Sequence, residues 1–151
     1  MSSIARANAD AITLFTSGNV GKLIVHSLRG IPDPPAITLL VHTQALLQRW
    51  EESKKVITLQ KDGKDLEASG YDVEVMPEQG EADDNADVPI DNLLVITKAA
   101  YTVPNLIRVA HRLNSNSTIC FMQNGMGIVE EVNEKIYSDP ATRPNYMCVS
   151  S

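Results

Sequence analysis

Short apolar runs alternate with amphipathic helical stretches along most of this 151-residue chain, and that alternation restricts the fold more than any single residue does. Residues 11–15 read as a buried strand, followed by helical spacing in which Val20, Leu23, Ile24, Ser27 and Leu28 share a face. Arg29-Gly30 closes that helix, and Pro32, Pro34 and Pro35 forbid its continuation. A second strand is expected over 36–41 and a second helix over about 43–52, with Leu46, Leu47 and Trp50 on its apolar side. Residues 56–60 and 66–69 are suited to pair as a hairpin across Lys61-Asp62-Gly63-Lys64, and 71–75 to form a further short strand. The pattern then gives a strand over 92–97, a helix over 103–113 with Pro104 in its first turn, a strand over 118–122, a helix over 128–137 and a last strand over 146–150. Strands separated by helices of this length build a parallel sheet with helices on both faces.

The length suits one domain, and 43% hydrophobic residues is an ordinary share for a globular one. The formal net charge of −6 is local. Glu74, Glu78, Glu81, Asp83, Asp84, Asp87 and Asp91 crowd one segment, and the rest of the chain carries about +1. Residues 76–91 hold Pro, Gly and acids with few apolar side chains, so they read as a long exposed acidic loop of a composition compatible with disorder. No basic stripe suggests nucleic acid, and no apolar run approaches a membrane span. Cys120 and Cys148 both stand in apolar, strand-like runs and are expected to be buried, with no CxxC or Cys/His cluster for a metal. That usage fits a reducing compartment. Residues 1–10 form an N-terminal extension without a secretory apolar core, so the cytoplasm is the expected location, with the mitochondrion left open.

Three places carry chemistry. After the first strand comes Thr16-Ser17-Gly18-Asn19-Val20-Gly21, which enters a helix. The dinucleotide fingerprint asks for glycine at the first, third and sixth of these positions. Gly18 and Gly21 fill the roles of close approach to a pyrophosphate and close helix–strand packing, whereas Thr16 replaces the glycine of the tight turn. The helix N-terminus still offers free N–H groups to a phosphate, although a glycine turn between strand and helix is often only a connection. At the tip of the second strand, an NAD site wants Asp or Glu for the ribose hydroxyl. This chain has His42 and Thr43, which favours NADP, while Thr43 is equally a good helix N-cap. Finally, the runs 92–97 and 118–122 end in Lys98 and in Gln123-Asn124-Gly125, which set an ammonium and a carboxamide at strand tips, where an open α/β sheet binds its ligand. A solvated lysine and an Asn-Gly turn are the plain alternatives. His26 and His111 read as surface or packing residues, and Met122, Met126 and Met147 as packing residues.

Gly18-Asn19-Val20-Gly21-Lys22-Leu23, Asn92-Leu93-Leu94-Val95-Ile96-Thr97-Lys98-Ala99 and Gln123-Asn124-Gly125-Met126-Gly127, in this order, resemble ketopantoate reductase (2-dehydropantoate 2-reductase), its fungal branch most of all, over about residues 12–151. The resemblance implies a Rossmann-type, doubly wound, mostly parallel sheet over 11–151, incomplete at its C-terminal end, and NADPH-dependent reduction of a 2-oxo acid, ketopantoate, on the route to pantothenate and coenzyme A. It also implies a role for each site residue. Thr16, Ser17, Gly18, Asn19, Val20 and Gly21 would hold the pyrophosphate. His42 and Thr43 would meet the ribose end, where the family often has an arginine. Lys98 would contact the cofactor, and Asn124 the nicotinamide and the substrate. Family members continue into a helical C-terminal domain that carries the general-acid lysine and a substrate-binding glutamate. The expectation is therefore little turnover by this chain alone, with self-association or a separate chain bearing that domain as partners. A non-catalytic nucleotide-binding or interaction module, and a Rossmann reductase for another 2-oxo acid or ketone, remain the alternatives.

Overall fold

The computed structural model describes residues 11–16, 18–78, 80–122 and 127–149. The chain opens with strand β1 (Ile12–Thr16), helix α1 (Gly18–Arg29), strand β2 (Ile37–Val41) and helix α2 (Gln44–Glu52). Strands β3 (Ile57–Lys61) and β4 (Lys64–Ala68) follow, then β5 (Tyr71–Val75) and, after a long loop, β6 (Asn92–Ile96). Helix α3 (Ala99–Val109) runs into a short 3-10 turn (Ala110–Arg112). Strand β7 (Thr118–Phe121), helix α4 (Ile128–Lys135), a second 3-10 turn (Pro140–Thr142) and strand β8 (Asn145–Cys148) complete the order.

Six strands form one sheet in the order β5-β2-β1-β6-β7-β8, and every neighbouring pair is parallel. This is the doubly wound, Rossmann-like α/β architecture. The inner strands β1, β2, β6 and β7 read as nearly unbroken apolar runs because they are covered on both faces, unlike the edge strands β5 and β8. In β1, Leu14 and Phe15 are both buried, yet they serve different cores, as the two-residue period of a strand requires. Leu14 joins Ile37, Leu39 and Ile96 beneath Val25 of α1 and Ile57 of the hairpin. Phe15 joins Leu40, Leu93, Val95, Ile119 and Phe121 beneath Val103, Leu106 and Val109 of α3 and Val132 of α4.

The hairpin β3–β4 forms as its residues dictate. Asp62 (φ 54°) and Gly63 (φ 75°) supply the two left-handed residues that a type I′ turn needs. Helix α3, by contrast, starts four residues earlier than the position of Pro104 suggests. The proline sits inside the helix, where it has no N–H to offer the Ala100 carbonyl.

The C-terminal strand is less buried than its composition implies. β8 is an edge strand, so Met147 and Cys148 are exposed. Cys120, on the strand beside it, is only half-buried; its burial pushes the thiol up, with Cys148 adding to the shift.

Among the described residues, 76–91 hold turns but no helix or strand, and the segment is not simply solvated. Met76 and Ile90, at its two ends, are 4% and 2% exposed. Three basic side chains, spaced along one face of α3 and the turn after it, strap the rest. Arg108 donates from Nε to the Pro77 carbonyl (2.8 Å) and from Nη2 to Met76 (2.9 Å) and His42 (3.1 Å). The His111 Nε2 lies 2.7 Å from Asp83 Oδ2. Arg112 donates to the Val88 carbonyl (2.8 Å) and to Glu74 Oε2 (3.0 Å). The acids that mark this segment in the sequence are thus partly answered by cations distant in the chain. Among the described residues no group of side chains is arranged to hold a metal, and no helix is long and apolar enough to cross a membrane.

Candidate functional site

The chain leaves β1 in one direction, toward β2 and β5, and after β6 continues in the other, toward β7 and β8. The β1/β6 boundary is therefore the topological switch point, where an open α/β sheet leaves a crevice beyond its carboxyl ends. Register brings the strand tips level there. Thr16 lies beside Ile96, Phe15 beside both Val95 and Leu40, and Val95 beside Phe121. The Met122 N–H still donates to the Val95 carbonyl (3.0 Å), so β7 ends on the same edge.

A cavity of about 460 Å³ opens at this edge, lined by Phe15, Leu40, His42, Met76, Thr97, Lys98, Tyr101 and Asn105. Its floor is apolar, from the tips of β1 and β2 and from Met76. Its polar rim comes from the end of β6 and one side of α3. Lys98 stands at the N-cap of α3, exposed, with no side-chain capping bond and no ion pair among the described residues. Tyr101 and Asn105 follow three and seven residues later, which keeps all three on one face of the helix. The Thr97 hydroxyl is buried and has no hydrogen-bond partner among the described residues. A buried hydroxyl left unsatisfied costs about 1–3 kcal/mol, and a polar ligand in the cavity would relieve that cost.

Helix α1 begins two residues after β1 ends, so its free N–H groups face the same carboxyl edge. Thr16, Gly18, Asn19, Val20 and Gly21 thus stand at the β1–α1 junction, and Gly21 is buried. Ser17 and Asn124 lie outside the described residues. Tyr101, Asn105 and Thr97 are site residues that the sequence reading missed. For Tyr101 and Asn105 the signal was the helical spacing from Lys98, hidden by a helix start placed too late.

Beyond the tip of β2 a second cavity, about 310 Å³, shares His42 and Met76 with the first. Thr43 and Gln44 line one side of it, and Glu78, Glu81, Asp83 and Asp84 the other. The Thr43 hydroxyl accepts the Leu46 N–H at 3.2 Å, so Thr43 caps α2 as its residue type allows. Asp83 has a side chain only 6% exposed. Burial alone would raise its carboxyl, but the Asn85 N–H, the His111 ring and the nearby Arg112 outweigh that and hold it below the ordinary carboxylate range.

The geometry is that of a dinucleotide crevice, and comparison with known proteins identifies the family. A family model described as "Ketopantoate reductase PanE/ApbA" matches residues 12–149. The chain belongs to the ketopantoate reductase family. A ketoisovalerate reductase from Beauveria bassiana is 32% identical to it over 120 residues, which is 76% of this chain and 26% of that protein. The 2-dehydropantoate 2-reductase of Saccharomyces cerevisiae is 39% identical over 57 residues, 38% of this chain and 15% of that enzyme. The chain thus spans about a quarter or less of the length of these relatives. Among solved structures, the 2-dehydropantoate 2-reductase from Porphyromonas gingivalis W83 superposes with a TM-score of 0.62 at 19% identity, covering 93% of this chain and 46% of that one. At that identity the match speaks for the fold, and it is the ketopantoate reductase fold that the sheet order describes.

Proposed function

We propose that this chain forms the cofactor-holding part of a reductase that uses NADPH to reduce the ketone of a 2-oxo acid, with ketopantoate as the first candidate. The observation that carries this reading is the cavity at the switch point. There a cationic side chain, Lys98, and an unsatisfied buried hydroxyl, that of Thr97, meet an apolar floor at the tip of β1, the strand that α1 follows. The residues present fit a dinucleotide. The α1 N-terminus and the Thr16–Gly21 junction would hold the pyrophosphate. The apolar floor of Phe15, Leu40 and Met76 would take flat rings, and Thr97, Lys98 and Asn105 would supply donors along them. NADPH is the proposed reductant because the tip of β2 itself carries His42 and Thr43 and no carboxylate.

When bound, the nicotinamide supplies a hydride. The work left to these residues is to position the two reactants and to hold charge. An ammonium at Lys98 sits where it can face a phosphate or the carboxylate of a 2-oxo acid, and Asn124 is proposed to bind the substrate side of the ring. Reduction of a ketone also needs a proton donor in reach of the forming alkoxide. In the sequence resemblance that donor belongs to a further, helical domain. Ketoisovalerate, a shorter branched 2-oxo acid, is a second substrate candidate, since the relative matched over the larger share of this chain bears that name.

Calorimetric titration of NADPH into the chain tests the reading. Lys98→Ala should weaken binding roughly tenfold or more, the effect of removing one charge-assisted contact, with little change in melting temperature because Lys98 is exposed. Equal affinity in the variant, or no binding by either protein, would count against it.

A further inference from the structure

We propose that the carboxylates of the 78–85 loop oppose the 2′-phosphate of NADPH, so that this loop, and not the strand tip, tunes the choice between NADPH and NADH. The inference rests on the reading that the sheet edge holds a dinucleotide. In a doubly wound fold, the residues just past the second strand meet the 2′ position of the adenosine ribose. Here that place is the second cavity, entered past His42 and Thr43. Its lining contains four carboxylates, one imidazole, and no lysine or arginine.

Of the groups that could answer a phosphate there, Thr43 and Arg108 are already engaged, which leaves the His42 ring and the Gln44 amide against four carboxylates. Thr43 caps α2. Arg108 reaches this corner, but it donates to the backbone carbonyls of Met76, Pro77 and His42 and stands 3.6 Å from Glu78, with a side chain only 12% exposed. Asp83 is paired with His111. Glu81 and Asp84 are different. Both are exposed, and neither makes an ion pair or a side-chain hydrogen bond among the described residues. A ribose hydroxyl can donate to such a carboxylate, whereas a phosphate is repelled by it. A β2 tip without an acid of its own is thus not a ribose end without acids: the loop after β5 brings them in, and the NADPH preference expected from the strand tip is held down.

The test is the Glu81→Gln/Asp84→Asn double variant, titrated with NADPH and separately with NADH at low ionic strength. Both side chains are exposed and unbonded, so the fold is retained. NADPH affinity should rise about tenfold and NADH affinity change less than about twofold, with the gain shrinking as salt is added. A matching charge change on β4, Asp65→Asn/Glu67→Gln, lies outside the cavity and should shift the NADPH to NADH ratio by less than about twofold. An equal response by both cofactors, no response, or the same gain from the β4 variant would overturn the inference and leave the cofactor site standing. No binding of either cofactor by the unsubstituted chain would overturn both.

Discussion

The hairpin β3–β4 and the loop after β5 are both excursions from the main sheet, and they are anchored in opposite ways. The hairpin pairs five residues with five in an antiparallel ladder, yet of those ten only Ile57 is buried. The loop has no ladder, yet its ends are buried and three side chains of α3 and the turn after it, Arg108, His111 and Arg112, bond along its length at Pro77, Asp83 and Val88. Regular hydrogen bonding therefore gives no measure of how firmly a segment is held. The hairpin is locally complete and globally marginal. The loop is locally irregular and tied to the core by contacts 24 to 32 residues apart in the chain. This second kind of anchorage is what carries acids to the cofactor edge.

Substitutions separate the two regions. The largest effect is expected at Arg112, whose side chain is 4% exposed and holds both Val88 and Glu74. Arg112→Ala should cost about 3 kcal/mol in urea unfolding, because it strands a partly buried carboxylate and a carbonyl. Arg112→Lys should restore only part of that, lacking the second donor. A loss below about 1 kcal/mol would mean that the loop is held some other way.

A smaller effect, about 1 kcal/mol, is expected for Asp83→Asn, since its partner His111 is 42% exposed and the pair is partly screened. The pH dependence has a definite sign. The Asp83 carboxyl is held below its ordinary value, so its contribution is fully present above the unfolded value, about 3.9. It is lost as pH falls through the lower, folded value. Protection of the loop amides, measured against the intrinsic exchange rate at each pH, should fall on acidification below about pH 4 in the unsubstituted chain, and that step should be lost in Asp83→Asn. An identical acid limb in both proteins would remove Asp83 from the strap.

The smallest effect belongs to the hairpin. Leu66 is 39% exposed, and Leu66→Ala should change unfolding free energy by less than about 0.5 kcal/mol. A loss comparable to that of Arg112→Ala would erase the contrast.

These contrasts also explain what the sequence made legible. The strands and most helices follow from periods of two and 3.6, and the hairpin from Asp62-Gly63, all of them local signals. The start of α3 was misplaced because Lys98 is an N-cap without a capping side chain, while Pro104 imitates a first-turn proline. That error hid Tyr101 and Asn105. The straps of Arg108, His111 and Arg112 could not be read at all, since nothing near those residues names Pro77, Asp83 or Glu74. For the site, the strand tips were legible because a parallel sheet must align them. The approach of the acidic loop to the tip of β2 depends on tertiary contacts alone. The exposure of Cys148 and Met147 likewise depends on their strand lying at the sheet's edge, which composition does not encode.

The most direct test of the switch-point crevice is the pattern of backbone amide shifts when NADPH is titrated into isotope-labelled protein. The largest shifts should fall on residues 18–21, on Thr97 to Tyr101 and on the loop at 81–85, the three segments proposed to line the cofactor site. Shifts confined to the β3–β4 hairpin or to β8, with the amides of α1's first turn and of Thr97 and Lys98 unmoved, would contradict it.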